Sequence, residues 1–217
     1  MLARAFDEGA LRVNDAIPAA LAKWTETLYY TPHNGGAQPS IERQVSKALR
    51  EMAAIAGLNL VVVEPNDKRA NVVARFSENE GPSGSQSCYA QWWRSDDGKI
   101  TRVELNVNFR SWRGIDRCVV HETFHGFGFQ SHAHAADSVL SYVSGRTSLT
   151  QVDRLLLETL YDRRLAAGTE PVAASRTACR ILAEKINAAP SDVRVVCDAR
   201  LGPQPKAAST MPRWWQR

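Results

Sequence analysis

The chain reads as an α+β domain, and three features of the sequence say so. Short apolar runs of strand length sit at 58–63, 71–76, 88–93 and 100–109, a long helical pattern precedes them at about 41–56, and three further helical patterns follow them. Mixed strands and helices in this order are the mark of an α+β fold. At 217 residues, 44% apolar and 23% charged, the chain is long enough for one full-sized domain with a sizeable core and an appendage.

Taken in order, residues 10–23 read as a short helical or irregular lead-in. A strand-like segment at 25–31 runs into the turn residues Pro32, His33, Asn34, Gly35 and Gly36, where His33 is expected to be solvated. Ser40 can cap the helix that follows, with Arg43 where a capping box wants Glu or Gln. Ile41, Val45, Ala48, Leu49, Met52 and Ile55 recur at helical spacing, and Gly57 suits the C-cap.

Two short strands at 58–63 and 71–76 lead to a Gly-, Ser- and Glu-rich stretch at 77–87, expected as an exposed loop. Strands at 88–93 and 100–109 then flank the turn Ser95-Asp96-Asp97-Gly98. In the second, Thr101, Val103, Leu105, Val107 and Phe109 alternate with Ile100, Arg102, Glu104, Asn106 and Asn108, so this strand is expected to bury one face. A helix over about 114–127, a loop to about 149 and a helix over 150–167 follow, the last capped by Thr150 and stopped by Gly168. A final helix over about 171–188 enters a tail ending in Arg213, Trp214, Trp215, Gln216 and Arg217. That tryptophan pair either touches a membrane or partner or belongs to a loosely held tail.

Composition excludes several classes. No run reaches the roughly 18 apolar residues of a membrane span. A formal charge of +4 without a dense Lys/Arg block or a recognisable nucleic-acid motif argues against nucleic acid as partner. The modest positive charge favours contact with an anionic surface such as a bacterial cell envelope. The first residues lack the apolar core of a secretory signal, so the chain is either intracellular or begins after a removed leader. The four cysteines fall into two local pairs, Cys88 with Cys118 and Cys179 with Cys197. Two disulfides imply an oxidising compartment, secreted or periplasmic; four buried free thiols are the alternative, since a count does not set a pairing.

The decisive string is His121-Glu122-Thr123-Phe124-His125. Residues four apart on a helix project to the same side, so both imidazoles can reach one metal ion, and neutral imidazole suits Zn²⁺. Glu122 is offset by one residue, where it can reach a water at the metal rather than the ion and act as general base. Val119, Val120, Thr123, Phe124 and Phe127 fall opposite the histidines and can anchor the helix in the core. Cys118, one turn earlier, could be a ligand or the partner of Cys88. A catalytic zinc takes a third protein ligand and keeps a position for water, and His132 and His134 are the candidates.

Here the chain resembles the metzincin metallopeptidases, whose motif is H-E-x-x-H-x-x-G-x-x-H. Gly128 falls on the family's glycine, where the chain leaves the helix and turns back. The family's third histidine would fall at Ser131, a departure of one residue that a longer turn absorbs by delivering His132, chosen over His134. Asp137-Ser138-Val139-Leu140-Ser141-Tyr142 looks like the family's Met-turn, with Leu140 in place of Met. Tyr142 matches the tyrosine that stabilises the oxyanion, with a buried structural Tyr as the alternative. The stretch 149–153 with Leu160 and Tyr161 is similar to the helix after that turn. The similarity runs over about 115–165 and extends by element order back to about 25. More loosely, the whole chain is similar to a family of uncharacterised bacterial exported proteins carrying a degenerate version of this site.

The resemblance implies a metzincin-like zincin domain over 1–168, with a mixed twisted sheet packed on two helices, and a helical extension over 169–217. It implies zinc-dependent peptide-bond hydrolysis by a monomer acting on a protein or peptide substrate. His121, His125 and His132 would hold Zn²⁺, and Glu122 and Tyr142 would be catalytic. In the family an extended substrate pairs with the edge strand, for which 88–93 is the candidate. Trp92 and Trp93 there either line the substrate path or pack in the core. The rival is a non-catalytic metal-binding envelope protein, which a closed four-ligand site including His134 would favour.

Overall fold

The computed structural model describes residues 1–33, 39–77, 88–108, 115–134, 136–141, 145–189 and Cys197. The side chain of His33, the turn residues Asn34, Gly35 and Gly36, all of the loop expected at 77–87 beyond Ser77, Phe109, Tyr142 and the tail with Trp214 and Trp215 lie outside the described residues. The first element is a helix that the apolar spacing of residues 1–10 does not predict. Leu2–Ala10 forms helix α1, burying Ala5, Phe6, Gly9 and Ala10 along one face. The lead-in expected at 10–23 is instead a small antiparallel hairpin, β1 (Arg12–Val13) with β2 (Ile17–Pro18), followed by extended chain.

The central sheet takes five strands. β3 (Leu28–His33) is followed by helix α2 (Pro39–Ala56), then β4 (Leu60–Val62), β5 (Val72–Ser77), β6 (Cys88–Arg94) and β7 (Ile100–Asn108). Their spatial order is β4-β3-β5-β7-β6. All neighbours run parallel except β6, which lies antiparallel to β7 at the edge. Pro39 starts α2, so Ser40, expected as its cap, lies inside the first turn; proline's preset φ and missing N–H suit that position. Gly57 (φ +67°) closes the helix, and the Leu58 N–H donates back to the Ala53 carbonyl at 2.9 Å.

On β7, Val103, Leu105 and Val107 are buried as the alternation predicts, but Ile100 is buried and Thr101 exposed. The cause is an irregular register. Trp93 pairs with Arg102 and Arg94 with Ile100, so Thr101 is an extra residue that reverses the alternation beyond it.

Three further helices follow among the described residues: α3 (Ile115–Gly126), α4 (Gln151–Leu160) and α5 (Pro171–Lys185). α3 packs on β6, β7 and α2, while α5 packs on α1 and α4. Side chains from α1 through α5, among them Phe6, Met52, Leu105, Phe124, Leu156 and Ile181, share one core. α4 stops at Leu160, short of the expected 167. The buried Lys23 ammonium donates to the carbonyls of Leu160 (3.4 Å), Asp162 (3.5 Å) and Leu165, satisfying the orphan oxygens there and ending the helix. Burial lowers the Lys23 pKa, with Asp162 opposing.

Both disulfides form. Cys88–Cys118 joins the start of β6 to α3, and Cys179–Cys197 ties α5 to Cys197. No helix among the described residues is long and apolar enough to cross a membrane.

Candidate metal centre

Helix α3 turns its apolar side inward: Val119, Thr123 and Phe124 are buried, as is Phe127 just past its end. Its last carbonyls are capped from afar. The Trp24 indole N–H donates to Gly126 O at 2.9 Å, and the Tyr161 hydroxyl donates to Phe127 O at 3.0 Å. Gly128 then takes φ +107°, and a Cβ there would stand 2.1 Å from the Ala22 carbonyl oxygen. Only glycine permits that approach. Beyond it the N-terminal segment clasps the chain: Gln130 Nε2 donates to Ala10 O (3.1 Å) and Ala20 O (3.0 Å), and the Ser131 N–H donates to Gly9 O (3.0 Å).

This return brings His132 to His121 and His125. Nε2 of His121 lies 3.1 Å from Nε2 of His125 and 3.2 Å from Nε2 of His132. The three residues form a group that could hold a metal ion. His134 stands apart, exposed, its ring stacked on that of His132 at 6.1 Å between centroids. Cys118 is committed to its disulfide.

The remaining ring nitrogens decide what the cluster can do. Nδ1 of His121 is 2.6 Å from the Val139 carbonyl oxygen, Nδ1 of His125 is 2.5 Å from that of Phe129, and Nδ1 of His132 is 3.1 Å from Asp15 Oδ1. Each acceptor calls for a proton on Nδ1, and in the neutral ring that leaves a bare lone pair on Nε2. Neutral rings whose Nε2 lone pairs face one another at 3.1 and 3.2 Å repel unless a cation lies between. Tetrahedral ligands about 2.0–2.1 Å from Zn²⁺ stand roughly 3.3 Å apart, close to the spacing here. Burial drives the pKa of His121 down to about 4, the Val139 carbonyl opposing. Burial, aided by His121, drives that of His125 to about 3. Both rings are therefore neutral at physiological pH, the form that binds metal. The donor set fits Zn²⁺.

Glu122 points toward the sheet edge. Its Oε2 accepts the Ala90 N–H of β6 at 2.8 Å. Loss of water raises its pKa to about 8 against that hydrogen bond. On the same strand Trp92 packs against the core, while Trp93 is exposed with Arg102 over its ring at 5.6 Å. A cavity of about 230 Å³ between α2, α3 and residues 147–149 contains none of the three histidines.

Two carboxylates that the sequence reading missed hold the cluster. Asp153, fully buried, accepts from Ser138 Oγ (2.5 Å), the Val139 N–H (3.1 Å) and the Thr150 N–H (2.7 Å). It so fixes the turn whose Val139 carbonyl orients His121, with Leu140 wholly buried beneath. Thr150 and Asp153 form a capping box, and the T-x-x-D spacing before an apolar run was its legible signal. Asp15 accepts from Ser131 Oγ (2.5 Å), the His132 N–H (2.9 Å) and His132 Nδ1–H. Partial burial raises its pKa, but these donors outweigh that and leave it lowered. No local pattern links Asp15 to a histidine 117 residues away.

No protein-family model matches this sequence, and no curated protein matches it either.

Proposed function

We propose that the chain is a zinc-dependent endopeptidase of the metzincin kind, with His121, His125 and His132 as ligands and Glu122 as general base. The observation that carries this reading is the convergence of His121, His125 and His132 on one point, with the next residue after His121 carrying a desolvated carboxyl to a sheet edge. When bound, Zn²⁺ supplies Lewis-acid polarisation of a carbonyl and brings the pKa of a water toward neutrality. Glu122 takes a proton as the water oxygen bonds to the scissile carbonyl carbon. As the C–N bond breaks, Glu122 returns that proton to the leaving amine. A carboxyl poorly hydrated in its charged form suits this gain and loss. Tyr142 is assigned the oxyanion role by its place in the motif alone.

Strand β6 supports the substrate class. Its Ala90 N–H is not engaged by β7 but by Glu122, so this side of the strand faces the candidate site and suits an extended peptide added as a further strand. The peptidase unit is taken as 1–168, with 169–217 as an extension whose helix α5 packs on α1 and α4. Two disulfides favour a secreted or periplasmic protein. A closed, non-catalytic site would need a fourth ligand, and His134 lies outside the cluster.

The test is Glu122→Gln with zinc supplied. Zinc content and near-UV circular dichroism should match the wild type while cleavage of a quenched fluorescent peptide library falls by about 10²–10⁴-fold. Equal cleavage by both proteins removes the assignment.

A further inference from the structure

The three histidines are not held alike. His121 and His125 belong to helix α3, and their Nδ1 atoms face neutral backbone carbonyls. His132 lies on irregular chain, and its Nδ1 faces a carboxylate from the far end of the sequence. That carboxylate arrives on the β1–β2 hairpin. Asn14 and Asp15 at its tip take φ +50° and +60°, and the Ala16 N–H closes the turn on Val13 O at 3.3 Å. A turn of this kind favours glycine or asparagine followed by glycine. Turn chemistry alone therefore does not select aspartate at 15. What the aspartate adds is a set of contacts with Ser131 and His132: its Oδ1 takes three donors there, and its own N–H donates to Ser131 Oγ at 2.5 Å.

We infer that Asp15 is a positioning residue of the metal centre, and that the N-terminal hairpin is the device that seats the third ligand. The carboxylate holds His132 as its Nδ1–H tautomer, turns Nε2 toward His121 and raises the ring's strength as a donor. Partners of this outer kind orient metal-bound imidazoles, and their loss typically weakens metal binding 10–100-fold. The inference rests on the metal reading above and adds that the site is incomplete without residues 12–18. It also accounts for the one-residue departure at 131: Ser131 serves the hairpin, and the next residue serves the ion.

The experiment compares the full chain with Asp15→Gly and Asp15→Asn. Zinc affinity is read by competition with a chromophoric chelator, and ligand geometry by the visible spectrum of the Co²⁺ form. Asp15→Gly relieves the left-handed backbone yet should lose 10–100-fold in zinc affinity. Its Co²⁺ spectrum should also shift, an effect a merely structural role would not produce. Asp15→Asn keeps the shape and loses the charge, and should fall between; it carries the same test if the glycine variant does not fold. Wild-type affinity and an unchanged spectrum in the variants would overturn the role of Asp15 while leaving the metal reading intact. A wild-type chain that binds neither ion would overturn both.

Discussion

The Asp153 carboxylate and the Val139 N–H meet at 3.1 Å inside the core, and the carbonyl of that same Val139 stands 2.6 Å from His121 Nδ1. A helix cap thus orients a candidate metal ligand through one intervening residue. Replacing Asp153 by Ala removes the acceptor shared by the Ser138 hydroxyl and the Val139 and Thr150 N–H groups. The expected loss is about 2–4 kcal/mol of unfolding free energy, from unmet buried donors and a lost cap. Urea unfolding with a chelator present checks the stability. Zinc affinity should fall as well, since His121 loses its fixed acceptor.

Gly128 separates backbone strain from collision. Gly128→Ala places a methyl against Ala22 O at φ +107°, whereas Gly57→Ala at φ +67° meets nothing within 4 Å. The Gly57 variant should lose about 1 kcal/mol, the strain of a left-handed alanine. The Gly128 variant should lose about 3 kcal/mol or more. Equal losses in denaturant unfolding would show that the close approach to Ala22 is absent.

Zinc should stabilise the fold through the three histidines. At a hundred times its dissociation constant, a ligand that binds only the native state adds about 2.7 kcal/mol. For a chain of this size that raises the melting temperature by roughly 5–10 °C. Scanning calorimetry with and without zinc checks it, and His132→Ala should remove most of the shift.

The Cys88–Cys118 disulfide spans 30 residues and lies two residues before Ala90 on β6 and one turn before Glu122 on α3. A loop of that length is expected to contribute about 3–4 kcal/mol. The double Cys→Ser variant should lose that stability, and amide exchange at Ala90 should accelerate, because the strand–helix junction then rests on the Glu122 hydrogen bond and side-chain packing. Protection at Ala90 equal to the wild type would contradict this.

Much of the architecture was legible because it is local. The apolar spacing of α2, α3 and α4, the alternation along β7 and the offset of Glu122 from two histidines four apart follow from neighbours within one or two turns. Helix α1 went unread although Phe6, Gly9 and Ala10 fall on one face, because small residues give a weak apolar signal beside a Phe. The bulge at Thr101 and the early end of α4 were not legible. One depends on register against β6, the other on an ammonium about 137 residues away.

By itself, the sequence determined an amphipathic helix that presents His121 and His125 together and a glycine where that helix must end. Tertiary structure groups His132, and not His134, with His121 and His125, and it alone decided that Glu122 meets β6 and that Asp15 and Asp153 hold the rings. Helical periodicity is dictated by sterics between near neighbours and is written in adjacent letters. Where a loop lands is set by the distant groups that catch it, here a hairpin tip and a buried cap, and no short window of sequence contains both partners.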